Sequence, residues 1–162
     1  MSTNTVQVER EVSKGFPQGS CCGPGFWNIS YNCLLNLEFR KQTITIAFAD
    51  ELLIPVKAES IGEAANITNI EMNKILIWAK NNKINFNEQK SKVMVISRRK
   101  GKENKEISVY MNNKPLEQVE KIKYVGIIID SKLNFREHSL YISRKCTKLI
   151  HALSNSAKQC WG

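Results

Sequence analysis

The sequence predicts an α+β fold in one compact unit, and three observations carry that reading. First, Ser60 and Glu63 stand at capping-box spacing ahead of an apolar stripe: Ile61, Ala64, Ala65, Thr68, Met72, Ile75, Leu76 and Ala79. The stripe has the period of a helix that reaches about Asn81. Second, short apolar runs flank turn residues, Thr43 to Phe48 before Ala49-Asp50-Glu51 and Leu52 to Val56 after them, as in a hairpin. Third, 162 residues at 42% apolar content can bury one core and are few for two independent domains.

In chain order, Thr5-Val6-Gln7-Val8 alternates as a short strand would. Gly15-Phe16-Pro17-Gln18-Gly19-Ser20 and Cys21-Cys22-Gly23-Pro24 hold glycine and proline at a density that means a shaped loop. Pro24 suits a first helical position, and Phe26, Ser30, Cys33, Leu34 and Leu37 recur at three and four, so a helix over about 24–39 follows. The next hairpin puts two acids at its tip, and Pro55 in its returning strand needs an edge or a bulge. Lys92 to Ser97 reads as a third strand, and Arg98-Arg99-Lys100-Gly101-Lys102 opens a solvated basic loop. Ile107 to Met111, an Asn112-Asn113 turn and Glu120 to Asp130 read as a further hairpin. Asn134 with Glu137 opens a terminal helix. Its stripe of Ile142, Cys146, Leu149, Ile150, Leu153 and Ala157 is expected to be buried, beside exposed Arg144, Lys145 and Lys148.

Composition narrows the partners. A net charge of +9, from 24 Lys and Arg against 15 acids, favours a polyanion, with nucleic acid ahead of an anionic membrane surface. No apolar run approaches the roughly 18 to 20 residues of a spanning helix, and Met1 to Arg10 is polar rather than signal-like. A soluble intracellular protein, nuclear or cytoplasmic and not secreted, is expected. The cysteines at 21, 22, 33, 146 and 160 are odd in number and form no C-x-x-C pair, so neither a disulfide framework nor a zinc knuckle is indicated. Reduced, mostly buried thiols without disulfide partners are expected.

Among residues that could do chemistry, Asp50 and Glu51 on a tight turn can present oxygens to a divalent cation, and the same pattern also suits an ordinary exposed acidic turn. The Gly15 to Pro24 loop can bring backbone N–H groups to a phosphate or nucleobase, or simply turn the chain. Trp78 reads as core packing, and His138 and His151, without acid or thiol partners at ligand spacing, read as structural. Arg98 to Lys105 reads as a solvated loop rather than a nuclear localisation signal.

Order and spacing add a resemblance. Gly15-Phe16-Pro17-Gln18-Gly19-Ser20-Cys21-Cys22-Gly23-Pro24-Gly25-Phe26-Trp27-Asn28 closely resembles the G-x-P-Q-G-S-x-x-G-P loop and helix of reverse transcriptases from non-LTR, LINE-type retrotransposons of the kind abundant in insect genomes. Phe48-Ala49-Asp50-Glu51 falls where that family has F/Y-A-D-D, and Trp78 through Asn85-Phe86-Asn87 to Lys90-Ser91 resembles its W…N…K-S/T segment. Lys123-Tyr124-Val125-Gly126 with Asp130, Leu133, Phe135 and His138 resembles its K-Y-L-G…D…L…H primer-grip segment.

The resemblance implies a partial polymerase palm, an antiparallel sheet backed by two helices, with a hairpin leading into a helical thumb segment. Residues 1–106 would be palm, 107–135 the primer-grip hairpin and 136–162 the start of the thumb. It implies RNA-directed DNA polymerase chemistry on an RNA template, a DNA primer and a dNTP, with two Mg2+ ions. Asp50 and Glu51 would be the catalytic metal ligands, and Lys90 would stand near the leaving phosphates. Pro17, Gln18, Gly19, Ser20 and Phe48 would shape the nucleotide and template pocket, with Asp50 within about 10 Å of the Gln18 loop. Lys123, Tyr124, Val125 and Gly126 would grip the primer, while cations of the last helix follow the duplex.

The chain also departs from the pattern. Its two aspartates are Asp50 and Asp130, whereas the family's other metal-binding aspartate precedes the glycine-rich loop, where this chain has Glu9 and Glu11. The fingers and first half of the palm are therefore expected to be missing, leaving the Mg2+ site incomplete. Glu51 replaces the usual Asp, and a carboxylate displaced by about 1 Å can cost on the order of 100-fold in rate. A fragment inactive by itself is the expectation, with a non-enzymatic basic RNA- or DNA-binding remnant as the alternative. An open sheet edge with apolar neighbours would make it marginally stable or prone to aggregate.

Overall fold

The computed structural model describes residues 15, 19–97 and 106–161, the last four as helix backbone only. Residues 5–8, Phe16, Pro17, Gln18 and the 98–105 loop lie outside the described residues. Within them run α1 (Gly23–Leu35), β1 (Ile46–Phe48), β2 (Glu51–Leu53), α2 (Ile61–Asn81), β3 (Lys92–Val93), β4 (Tyr110–Met111), β5 (Lys114–Pro115), β6 (Glu117–Gln118), β7 (Lys121–Tyr124), β8 (Ile127–Asp130) and α3 (Arg136–Trp161). The α+β class holds.

Helix α1 starts where the Ser20 hydroxyl accepts the Gly23 N–H at 3.0 Å, and Pro24 fills a first-turn place that needs no donor. It stops at Leu35, earlier than the predicted 39: the Asn36 side-chain amide caps the Asn32 carbonyl, and the next N–H, that of Leu37, tightens onto the Leu34 carbonyl at 3.1 Å. Its buried face centres on Tyr31 and Leu34, with Trp27 partly buried; Leu34 and Leu37 of the predicted stripe pack in this core as expected, whereas Phe26 and Cys33 are exposed.

Helix α2 is the centre of the fold. Ser60 accepts the Glu63 N–H at 3.1 Å, and the Glu63 carboxylate in turn accepts the Glu59 N–H at 2.9 Å, so the box closes one residue further out than its usual form. Ile75, Trp78 and Ala79 pack with Tyr31 and Leu34 of α1. Met72 belongs to a second cluster with Val109, Met111 and Leu116. Trp78 is core, as its sequence context predicts.

The same helix carries Glu71, fully buried and absent from the predicted stripe. Its carboxylate accepts the Arg40 N–H at 3.2 Å and pairs with Lys74 at 2.8 Å and Arg40 at 3.8 Å. Glu71→Ala is expected to cost about 1–3 kcal/mol, because the Arg40 N–H loses its acceptor. The two cations are 39% and 50% exposed and can return to water, which keeps the loss below that of a fully buried pair. Urea unfolding checks this, with Glu71→Gln, which keeps an acceptor, falling in between.

The strands form four two-stranded pairs. The Thr43 to Val56 hairpin is confirmed in register, with Phe48 opposite Glu51 and an outer bridge between Thr43 and Val56. Pro55 sits outside β2 and still serves the ladder, since its carbonyl accepts the Ile44 N–H at 3.0 Å. Glu51 is a strand residue rather than part of the turn. The third strand is shorter than predicted and pairs in parallel with β6, in a sheet separate from the β1–β2 hairpin. Val93 packs against the second cluster, which draws this strand to the Met111 side of α2.

The predicted 107–130 hairpin is two hairpins. Asn112 and Asn113 have φ of 50° and 64°, and Val125 and Gly126 have 46° and 81°. Two consecutive positive values are the signature of a two-residue type I′ hairpin turn, so each pair reverses the chain by itself. The strands close as β4 with β5 and β7 with β8.

Helix α3 corrects the terminal expectation. The stripe predicted to be buried is exposed, Leu149 at 55%, Ile150 at 64% and Leu153 at 70%, because α3 meets the rest of the described chain through its first turns alone. The four described cysteines, 21, 22, 33 and 146, are likewise exposed and free, not buried. No described helix is long and apolar enough to cross a membrane.

Candidate functional site

The Asp50 turn is held from behind by aromatic packing. Ala49 takes φ 51°, a conformation that a two-residue hairpin requires and that alanine adopts only when anchored. The anchor is the Trp27 indole, whose Nε1 donates to the Ala49 carbonyl at 2.7 Å. Trp27 stacks on Tyr31 with centroids 4.6 Å apart, and Tyr31 meets Trp78 edge-on at 6.0 Å. A run of three rings therefore links the core to the turn. Burial, and secondarily the Asp50 charge, push the Tyr31 phenol up to about 12, so it stays protonated beside the exposed carboxylate.

Glu51 faces another way. Its Oε2 accepts the backbone N–H of Val125 at 3.2 Å, which joins the β1–β2 hairpin to the tip of β7–β8. Val125 is β-branched and held at positive φ, a rare and strained combination.

The β7–β8 hairpin is fixed to α3 along its length. The Ile128 N–H donates to His138 Nδ1 at 3.4 Å, which gives this histidine the structural role its context predicts. Lys121 pairs with Glu137 at 3.3 Å, and Lys123 Nζ donates to the Tyr141 hydroxyl at 3.3 Å while lying 5.1 Å from the ring centroid. That hydrogen bond, reinforced by the charges of Lys123 and Lys145, holds the Tyr141 phenol below its ordinary value.

Asp130 makes the junction into α3. Its carboxylate accepts the N–H groups of Lys132 at 3.0 Å, Asn134 at 3.3 Å and Phe135 at 2.8 Å, across a stretch where Leu133 and Phe135 have positive φ. Burial by itself would raise this carboxyl, and the N–H groups of Asn134, Phe135 and Lys132 outweigh it, so its pKa lies below the ordinary aspartate value. A depressed folded pKa stabilises the protein above the unfolded aspartate pKa, and that contribution is lost as pH falls through the folded value. Asp130→Asn is expected to lower the urea midpoint at neutral pH and to flatten its decline toward acid.

The fold thus joins Glu51, which follows Asp50 in the chain and pairs with Phe48, to Val125 in the turn after the Lys123 and Tyr124 strand. Pro17 and Gln18 lie outside the described residues, and with them the expected Asp50 to Gln18 separation. Gly19, at φ 82°, and Ser20 lead into α1, and the Ser20 hydroxyl accepts the Gly23 N–H at the start of that helix. Lys90 is exposed on a turn in which Asn87 Oδ1 accepts the Gln89 and Lys90 N–H groups. Glu88 ties that turn to Asn112 and Lys114, and among the described residues Lys90 makes no ion pair with Asp50 or Glu51. Sequence reasoning missed Trp27 and Tyr141 as supports. Trp27 and Tyr31 at i and i+4 were the available signal for the first.

The family model for reverse transcriptase (RNA-dependent DNA polymerase) matches residues 1–129. The chain belongs to the reverse transcriptase family. It is 28% identical over 155 residues to the "Retrovirus-related Pol polyprotein from type-1 retrotransposable element R1 2" of Nasonia vitripennis, covering 91% of this chain and 37% of that protein. A Bradysia coprophila type-1 element R1 polyprotein is 26% identical over 96% of this chain and 15% of its own length. The "RNA-directed DNA polymerase from mobile element jockey" of Drosophila melanogaster is 25% identical over 80% of this chain and 14% of that protein. The chain therefore spans a minor part of these relatives. No solved structure gives a significant match. The insect non-LTR elements agree with the resemblance carried by the blocks from Gly15 to His138.

Reverse transcriptases generally use Mg2+. Two such ions demand several carboxylate oxygens in near-octahedral array. Among the described residues no group of three or more His, Cys, Asp or Glu side chains could hold a metal ion, and one Glu51 oxygen is committed to Val125. The described residues do not fit a two-cation site.

Proposed function

We propose that this reverse transcriptase chain is the primer-positioning side of an RNA-directed DNA polymerase, acting on an RNA template and a DNA primer. Residues up to 106 serve as palm, the 107–135 segment presents the grip turn and 136–162 begins the thumb. Asp50 is the carboxylate that the hairpin offers to a reaction centre, while Lys123, Tyr124, Val125 and Gly126 face the primer backbone. Phe48, Gly19 and Ser20, with Pro17 and Gln18, border the nucleotide and template pocket, and Lys90 serves the leaving phosphates.

The observation that carries this reading is the Glu51 to Val125 hydrogen bond, which joins two hairpins 74 residues apart at their tips. A polymerase needs its acidic turn and its primer support side by side, because a reacting hydroxyl misplaced by about 1 Å costs on the order of 100-fold. The donor set at Asp50 favours a chain that binds template and primer without extending the primer by itself. An RNA–DNA hybrid with a recessed primer, incubated with the chain, dNTPs and millimolar Mg2+, tests both parts. Retention of the hybrid without added nucleotides is expected; failure to bind it would sink the reading, and efficient extension would show that the chain completes its own site.

A further inference from the structure

We infer that Glu51 is a positioning residue for the primer-grip turn: its carboxylate holds the Val125 N–H and so sets that turn beside Asp50. The inference rests on the polymerase reading above for its functional meaning, and on hydrogen-bond geometry for the rest. In a two-residue hairpin the closing pair is Tyr124 with Ile127, which leaves the Val125 N–H outside the ladder and in need of an acceptor from elsewhere. Glu51 Oε2 supplies one at 3.2 Å, and as an ionised acceptor it makes the stronger, charge-assisted kind of bond. The contact also secures a β-branched residue at φ 46°, a conformation that persists only where the surroundings hold it.

Reach explains the residue type. Glu51 is the first residue of β2, so its backbone is fixed by pairing with Phe48, and the side chain alone must span the gap to the other hairpin. Aspartate, the usual residue at this place in the resemblance, is one methylene shorter and would fall short by about 1 Å or more at the same backbone position. The glutamate that departs from the family pattern is thus the side chain long enough to reach Val125. The two acids of the tip then divide their work: Asp50 is left to the reaction centre and Glu51 to the grip.

This division reverses the ordering of variants that metal ligation predicts. A metal ligand tolerates Glu51→Asp better than Glu51→Gln, because the charge survives. An acceptor for Val125 tolerates Glu51→Gln better than Glu51→Asp, because the length survives. Glu51 is exposed, so both variants keep the core intact. The experiment uses the full chain labelled with nitrogen-15, following the Val125 amide resonance and its hydrogen-exchange rate. Expected are a modest loss of protection in Glu51→Gln, which keeps the acceptor but not its charge, a larger loss with exchange about tenfold faster in Glu51→Asp, and no loss of protection on titration of the wild-type chain with Mg2+ alone. Equal protection in wild type and Glu51→Asp would overturn the inference, as would release of the Val125 amide by Mg2+. Binding of the RNA–DNA hybrid by the same samples keeps the two claims apart. Protection that follows side-chain length in a chain that ignores the hybrid supports the contact and removes the polymerase reading.

Discussion

Trp78→Ala is expected to lower the free energy of unfolding by about 3–5 kcal/mol, the usual loss when a large aromatic leaves a packed core. Trp78 is 7% exposed and packs with Ile75, Ala79, Leu34 and Tyr31, so the neighbouring side chains cannot collapse fully into the space. The loss should also spread. Tyr31 would lose its edge-on partner, Trp27 stacks on Tyr31, and the Trp27 indole holds the Ala49 carbonyl. Faster amide exchange in the Asp50 turn should therefore accompany the lower urea midpoint. Trp78→Phe separates packing from polarity: the indole Nε1 is buried without an acceptor among the described residues, so phenylalanine removes an unsatisfied donor together with some volume. A small cost for Trp78→Phe beside a large one for Trp78→Ala is the expected pattern, and equal costs would assign the role to the indole itself.

The second large effect is in nucleic-acid binding. Arg144, Lys145 and Lys148 are exposed on α3, and the chain as a whole carries +9. If those three cations each neutralise a phosphate, log affinity should fall against log salt with a slope of about −2.7, close to a fortyfold loss between roughly 50 and 200 mM. Replacing all three with alanine should remove most of that slope while the urea midpoint stays near wild type, since they are solvent-exposed. A titration of the RNA–DNA hybrid in which affinity does not respond to salt would exclude a phosphate-driven mode. Lys123 belongs in a separate class. Its ammonium is engaged by Tyr141, so Tyr141→Phe removes a hydrogen bond and leaves the ring contact, which tests whether the grip depends on where that lysine is held.

The hairpin, the long helix and the family were legible from local pattern. Ser60 with Glu63, the 3.6-residue stripe of α2, and the apolar runs on either side of Asp50 are short-range features that the backbone realises wherever the chain is placed. The paired turns at 112–113 and 125–126 were equally local. The Asn112-Asn113 turn is legible from its residues, whereas the turn at Val125 and Gly126 is hidden because continuous apolar character from Val125 to Ile129 suggests one strand, and the structure gives both residues positive φ.

By itself the sequence determined the α+β class, the Asp50 hairpin, helix α2 and membership in the reverse transcriptase family, because periodicity, capping and motif spacing are properties of neighbours along the chain. Only the tertiary structure decided that Trp27 braces Ala49, that Glu71 lies buried, that Glu51 turns toward Val125 and that the stripe of α3 stays open to solvent. Each of those depends on which surface arrives from a distant part of the chain. A residue's own pattern states what it needs, an acceptor, a counter-charge or an apolar cover, and the packed fold settles whether and by which residue that need is met.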